Sequence, residues 1–156
     1  MKAAASTAAT VYGSSASGAV NETVRRTLRV KPSEETVALV VNKLLESKAT
    51  IEKYFALDLK ECEDPQFLRY REGDFFVAHQ DGNTGMTRLE TEQRLISIVI
   101  FLNSDYSGGS LVFSNLRERF SVAAEPGMLV AFRSETTHEV TPVTNGERYS
   151  IASWFR

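Results

Sequence analysis

The chain holds one cysteine, Cys62, and two histidines, His79 and His138, in 156 residues, and both scarcities narrow the field before any pattern is read. A lone thiol cannot close an internal disulfide, so the fold does not depend on an oxidising compartment. Cys62 reads first as a small core filler rather than a nucleophile. Neither charge is in excess: 18 Lys plus Arg stand against 20 Asp plus Glu, a formal net charge of -2. That balance supplies no broad positive field for nucleic acid or anionic lipid. Long apolar runs are missing too: none is longer than a run such as Ile98 to Leu102, far too short to cross a bilayer. Neither nucleic acid nor membrane is therefore an expected partner, and a soluble, cytoplasmic protein is expected. Residues 1–20 are rich in Ala, Ser, Thr and Gly and lack the strongly apolar stretch of a signal peptide. They read as a flexible lead-in, which leaves 21–156 as a single domain built on one core.

What is present falls into two textures. Between Pro32 and Ala49, residues Val37, Val40, Val41, Leu44 and Leu45 follow the spacing of a helix with one buried face. Ser33 suits its N-cap, and Glu34 and Glu35 sit where the helix dipole favours negative charge. A second short helix is expected over Ile51 to Leu57. From Phe67 the chain turns to short β-branched and aromatic runs: Phe67 to Tyr70, Phe75 to His79, Leu95 to Leu102, Ser110 to Phe113, Arg119 to Ala123, Met128 to Arg133, Glu139 to Val143 and Arg148 to Phe155. Turn signals separate them, among them Ser107-Gly108-Gly109 and Asn145-Gly146, the latter a two-residue hairpin signal. The expected fold is mainly β with flanking helices, a double-stranded β-helix of jelly-roll, cupin-like form. The polar, glycine-containing loop from Asp81 to Arg94 reads either as a lid or substrate reader or as an ordinary solvated loop.

The chemistry starts at the histidines, because neutral imidazole is the commonest metal ligand. In His79-Gln80-Asp81 the two outer side chains lie two apart at a strand end and so project to one face. Alone, that pair is a weak signal and fits a surface hydrogen bond as well. His138, at the start of another strand, adds the third donor. Two imidazoles and a carboxylate on one face of an octahedron suit Fe(II) and leave open positions for small ligands. Arg148, just past the Asn145-Gly146 turn, opens a strand that is otherwise apolar. If its head points inward it needs an anion, and its planar fork fits a carboxylate in bidentate fashion. The bland reading is a strand-surface charge paired with Glu139 or Glu147. Gln80, Arg88, Arg94 and Arg117 are polar candidates for the mouth of the site, each with a solvated surface charge or amide as its plain alternative.

These residues stand in an ordered series. Tyr70-Arg71-Glu72-Gly73-Asp74-Phe75-Phe76 leads to His79-Gln80-Asp81; Ile98 to Asn103 and the Gly108-Gly109 pair follow; then come Pro126-Gly127, His138-Glu139-Val140 with Pro142-Val143, and Arg148-Tyr149-Ser150-Ile151 ending in Trp154. Over Phe67 to Phe155 the series resembles the 2-oxoglutarate and iron(II)-dependent oxygenases of the prolyl 4-hydroxylase-like group. The resemblance implies that His79, Asp81 and His138 bind iron, that Arg148 holds the distal carboxylate of 2-oxoglutarate, and that Tyr70 lines the cosubstrate pocket; Tyr70 also reads as an aromatic core anchor. It implies Fe(II), 2-oxoglutarate and O2 as reagents, with ascorbate as an optional accessory. The implied reaction is hydroxylation of a peptidyl proline or another amino-acid residue, coupled to decarboxylation of 2-oxoglutarate to succinate. A peptide or protein, or a small amino-acid-like molecule, is the implied partner.

Asp81 favours hydroxylation, since related halogenases replace this carboxylate with Gly or Ala. Where relatives often carry Gly-Gly-Glu-Thr, this chain has Gly108-Gly109-Ser110-Leu111, a difference that bears on substrate contacts. Strand alternation suggests Ile98, Ile100, Val130, Phe132, Ile151 and Trp154 as apolar walls around the ion. A non-catalytic cupin-type metal-binding or sensing module, with Zn or Mn on the same three ligands and Arg148 in a structural ion pair, is the alternative. An interaction domain with incidental histidines is a third.

Overall fold

The computed structural model describes residues 6–9, 23–82 and 94–156. Strands β1 (Ser6–Ala8), β2 (Arg25–Arg26) and β3 (Leu28–Val30) precede the helix α1 (Glu34–Phe55). After it come β4 (Gln66–Tyr70), β5 (Phe75–His79), β6 (Ile96–Phe101), β7 (Ser107–Gly108), β8 (Leu111–Ser114), β9 (Arg119–Val122), β10 (Leu129–Arg133), β11 (His138–Val140), β12 (Val143–Asn145) and β13 (Arg148–Phe155). All pairings among the described residues are antiparallel. The larger sheet runs β1-β3-β4-β13-β6-β10, the smaller β2-β5-β11-β8-β9, and β12 pairs with β7 at the corner between them. Neighbours far apart in sequence, such as β4 beside β13 and β5 beside β11, are the mark of a jelly roll, as the strand pattern predicted.

The helix is a single element where two were expected. Nothing between Ala49 and Ile51 can break it, so it runs from the Ser33 cap, whose hydroxyl accepts from the Thr36 N–H at 3.2 Å, to Ala56 in the left-handed region at φ 53°. Leu44 and Ile51, two turns apart, are its buried residues. They join Leu59, Ile96, Ile98 and Phe155 in a cluster that fixes the helix to the outer face of β6, β10 and β13. Leu45, expected on the buried stripe, is 47% exposed, because a helix resting on one flat sheet buries a narrower arc than the five-residue pattern implied.

Between the sheets lie two further clusters. Leu68, Tyr70, Val140 and Val143 form one, and Phe101, Leu111, Phe113 and Phe132 the other, each drawing on opposing strands. β6 thus has apolar residues on both faces: Ile96, Ile98 and Ile100 meet the helix cluster, while Val99 and Phe101 face the opposite sheet. Ile98 and Ile100 therefore do not wall the site, and Ile151 shares the strand parity of Phe155, on the helix side. Val130 and Phe132 do lie between the sheets.

Two local expectations also change. Glu139 to Val143 is two strands, because Pro142 cannot donate to a ladder and the chain crosses to β7 there. Asn145-Gly146 is consequently not a hairpin: β12 and β13 belong to different sheets, and Gly146 at φ 76° makes the turn from one to the other. At the start of the chain, Ser6–Ala8 pairs with β3 inside the stretch expected as a flexible lead-in, the Ala9 N–H donates to the Thr27 carbonyl at 2.9 Å, and residues 1–5 and 10–20 lie outside the described residues. No helix among the described residues is long and apolar enough to cross a membrane.

Candidate metal centre

β5 and β11 are neighbours, and their register sets His138 directly opposite His79. The two rings stand 4.3 Å apart between centroids. Asp81, just beyond the end of β5, reaches both: Oδ1 lies 3.4 Å from His79 Nε2 and Oδ2 3.5 Å from His138 Nε2. One ligating atom from each of the three residues lies within 4.8 Å of the others, so the trio could hold a single ion. Each imidazole is also aimed. His79 Nδ1 donates to the Val77 carbonyl at 2.7 Å and His138 Nδ1 to the Thr136 carbonyl at 2.9 Å, which leaves both Nε2 atoms as the free lone pairs facing Asp81.

Electrostatics favour the ligating forms. Burial pushes the His138 imidazole below its ordinary value, against the pull of the Asp81 carboxylate. Burial works against ionisation of Asp81 as well, yet the His79 contact and the charge of His138 outweigh it and hold the carboxyl far below the usual carboxylate range. Ser97 Oγ donates to Asp81 Oδ2 at 2.7 Å, and Ser97 in turn lies 2.9 Å from Ser134 Oγ.

Arg148 opens β13 on its inner face, 1% exposed. Its NH1 donates to Ser150 Oγ at 2.7 Å, and its guanidinium lies 5.0 Å from the Tyr70 ring and 5.4 Å from that of Phe101. The surface ion pairs once conceivable for it are taken: Glu147 binds Arg69 and Glu139 binds Arg119. No carboxylate pairs with Arg148 among the described residues, and its buried Nε has no hydrogen-bond partner. A buried, unanswered fork is what a ligand carboxylate would complete. Phe101 and Phe132 share one cluster, and Phe132 stands 4.7 Å from the His138 ring, so arginine and triad face the same interior.

The other polar candidates disperse. Arg94 binds Glu63 with both arms, at 2.7 and 2.5 Å, and covers the Trp154 ring at 3.8 Å, so it belongs to the frame. Arg117 sits exposed in the turn that Asn115 organises. Gln80 is exposed beside the triad, its amide 3.4 Å from Thr137 Oγ1. Arg88, with most of the Asp81 to Arg94 loop, lies outside the described residues.

Residues that the sequence reading missed complete the surroundings. Phe76 stacks on His79 at 3.6 Å, and Arg25 lies 4.6 Å above the far face of Phe76, so a cation and a ring back the ligand. Ser97 and Ser134 were detectable only as isolated hydroxyls at the edges of apolar strands. Gly109 packs against the Arg148 stem: at φ 57°, a Cβ there would stand 3.1 Å from Arg148 Cδ and 2.9 Å from Val143 Cγ2.

Known proteins share both sequence and fold with the chain. It is 32% identical to a PKHD-type hydroxylase of Shewanella oneidensis over 94% of its own length and 66% of that relative. Against a PKHD-type hydroxylase of Paracoccus denitrificans it is 38% identical over 95 residues, 58% of this chain and 41% of the relative. The chain thus spans about two thirds of the first relative's length and less of the second. A Pseudomonas putida prolyl-4-hydroxylase superposes with a TM-score of 0.72 at 28% identity, covering 87% of this chain and 74% of that one. A prolyl hydroxylase from Trichoplax adhaerens, solved with a hypoxia inducible factor peptide fragment, shares the fold with a TM-score of 0.68 at 18% identity over 94% of this chain and 70% of that one. With the family's own profile matching residues 65–156, which hold His79, Asp81, His138 and Arg148, the chain belongs to the 2OG-Fe(II) oxygenase superfamily.

Proposed function

We propose that the protein hydroxylates a peptidyl proline or another amino-acid residue, with Fe(II) held by His79, Asp81 and His138 and the distal carboxylate of 2-oxoglutarate held by Arg148. The observation that carries this reading is the buried, unanswered guanidinium facing the same interior as a His-Asp-His trio. Once bound, iron and 2-oxoglutarate supply O2 activation coupled to decarboxylation of 2-oxoglutarate to succinate and CO2.

The chain's own residues account for binding, orientation and exclusion of water. The Val77 and Thr136 carbonyls keep the Nδ1 protons in place, so both Nε2 atoms are ready to ligate without a tautomer change. The Tyr70 and Phe101 rings lie 5.0 and 5.4 Å from the Arg148 guanidinium carbon, so the arginine head is packed among aromatic surface where a ligand carboxylate would meet it. Phe113 and Phe132 flank His138 with apolar surface and limit access of water to the reacting centre.

A peptide or small amino-acid-like substrate is supported by the prolyl hydroxylases among the structural neighbours, and we take residues 21–156 as the single domain that performs the reaction, with Ser6–Ala8 adding an edge strand to its larger sheet. The one free thiol suits a reducing compartment, and we assign the protein to the cytoplasm. The test is succinate release from 2-oxoglutarate by iron-loaded protein, with and without proline-containing peptides. Peptide-stimulated release that disappears in Arg148→Ala supports the reading. Iron binding with no 2-oxoglutarate binding in titration would replace it with the non-catalytic cupin-type module.

A further inference from the structure

Asp81 is the one ligand of the trio that lies outside regular structure, two residues beyond the end of β5 at His79. It is nevertheless held from two sides. Its own N–H and that of Gly82 donate to the Ser134 carbonyl at 2.9 and 3.0 Å, and the Ser134 N–H donates to the Leu95 carbonyl at 3.0 Å. Its side chain meets Ser97, on the inner face of β6, and Ser97 meets Ser134. Ser97 is 1% and Ser134 0% exposed, so neither hydroxyl can exchange these partners for water.

The direction of this chain follows from donor counts. The carboxylate can only accept, so the single Ser97 proton goes to Asp81 Oδ2. Ser97 Oγ is then an acceptor toward Ser134, and Ser134 must donate. Hydroxyls aligned head to tail polarise one another, so the second strengthens the first.

We infer that Ser134 and Ser97 form a positioning relay that occupies Asp81 Oδ2 and leaves Oδ1 to bind the ion through one oxygen. Without the relay the carboxylate rotates or binds through both oxygens, taking a position that ligands to the ion would otherwise use. The inference rests on the metal site proposed above, and it assigns work to two residues outside the three ligands.

The experiment uses the full chain in metal titrations, with Fe(II) under anaerobic conditions and Co(II) as the spectroscopic probe. Ser97→Ala is expected to weaken Fe(II) binding by about 10- to 100-fold, the range seen when a partner that orients a metal ligand is removed. Ser134→Ala should weaken it less, by several-fold. In Ser97→Ala the visible Co(II) bands should weaken and move toward higher coordination number, and Ser97→Thr, which keeps the hydroxyl, should restore them. Ser153→Ala is the control, since that serine is equally buried but bonds to the Glu63 carbonyl at 2.8 Å, away from the trio. Metal affinity and Co(II) bands unchanged in Ser97→Ala overturn the relay. If Ser97→Ala does not fold, Ser134→Ala and Ser97→Thr read the same quantities, and wild-type values in Ser134→Ala with altered bands in Ser97→Thr count against it. Failure of the wild type to bind either metal would instead sink the metal site itself.

Discussion

Arg148 faces Tyr70 across the β4–β13 pair, its guanidinium carbon 5.0 Å from the phenol ring centre, and no carboxylate among the described residues answers its charge. Two opposite effects of one substitution follow. Arg148→Met should raise the 2-oxoglutarate concentration needed for half-saturation by about two orders of magnitude, since a charge-assisted contact is worth roughly 1.5–3 kcal/mol. The same variant without ligand should melt no lower than the wild type, because it removes a buried charge that lacks a counterion. Isothermal titration and a melting curve on one sample test both; a large loss of ligand-free stability would mean that Arg148 is structural.

Asp81→Asn keeps the shape of the side chain and removes its charge. Metal affinity should fall by at least about tenfold while the metal-free fold persists, because Ser97 can still donate to the amide oxygen. Equilibrium dialysis against Fe(II), beside far-UV circular dichroism, separates the two effects.

Acid should destabilise the metal-free protein, and the sign can be worked out. The folded His138 value lies below the ordinary imidazole value, so between the two the unfolded chain binds a proton that the folded chain does not. Stability therefore falls as pH drops below about 6.5, and Asp81, held far down in the folded state, adds a loss of the same sign as pH falls through the carboxylate range. Melting temperatures should be flat at neutral pH and decline on acidification, with the first part of the decline absent in His138→Gln.

Gly109→Ala tests the corner. The left-handed backbone at φ 57° alone costs about 1–2 kcal/mol for an L residue, and the new Cβ would press on Val143 and the Arg148 stem. A lower melting temperature should come with weaker 2-oxoglutarate binding, whereas metal affinity should stay near wild type.

Arg94→Ala should lower stability without touching the ligand. It uncovers Trp154 and leaves Glu63 to Arg156 alone, costing about 2–4 kcal/mol of stability, with 2-oxoglutarate affinity unchanged. A denaturant melt and a ligand titration on the same variant distinguish the two readouts.

The legible parts were those governed by local chemistry. Phe75 to His79 and Arg148 to Phe155 matched their strands to the residue, because turn residues bound them and β-branched and aromatic side chains fill them. The Ser33 cap and the convergence of His79, Asp81 and His138 followed from type and spacing. What escaped depends on partners far along the chain. Which face of Ile98 or Ile100 is inward cannot be read when helix and opposite sheet are both apolar. Arg94 looked like a mouth residue because Glu63, its partner, lies 31 positions away. The short strands β2 and β3 take their form from β5 and β4, which no local pattern announces.

The two-sided burial of β6 means that stability and chemistry are written on alternate residues of one strand. Ile96, Ile98 and Ile100 fasten the helix, and Ser97, Val99 and Phe101 line the interior. A residue-by-residue scan of this strand should produce a zigzag, with variants that melt early but bind iron alternating with variants that bind iron or its ligands poorly at little thermal cost.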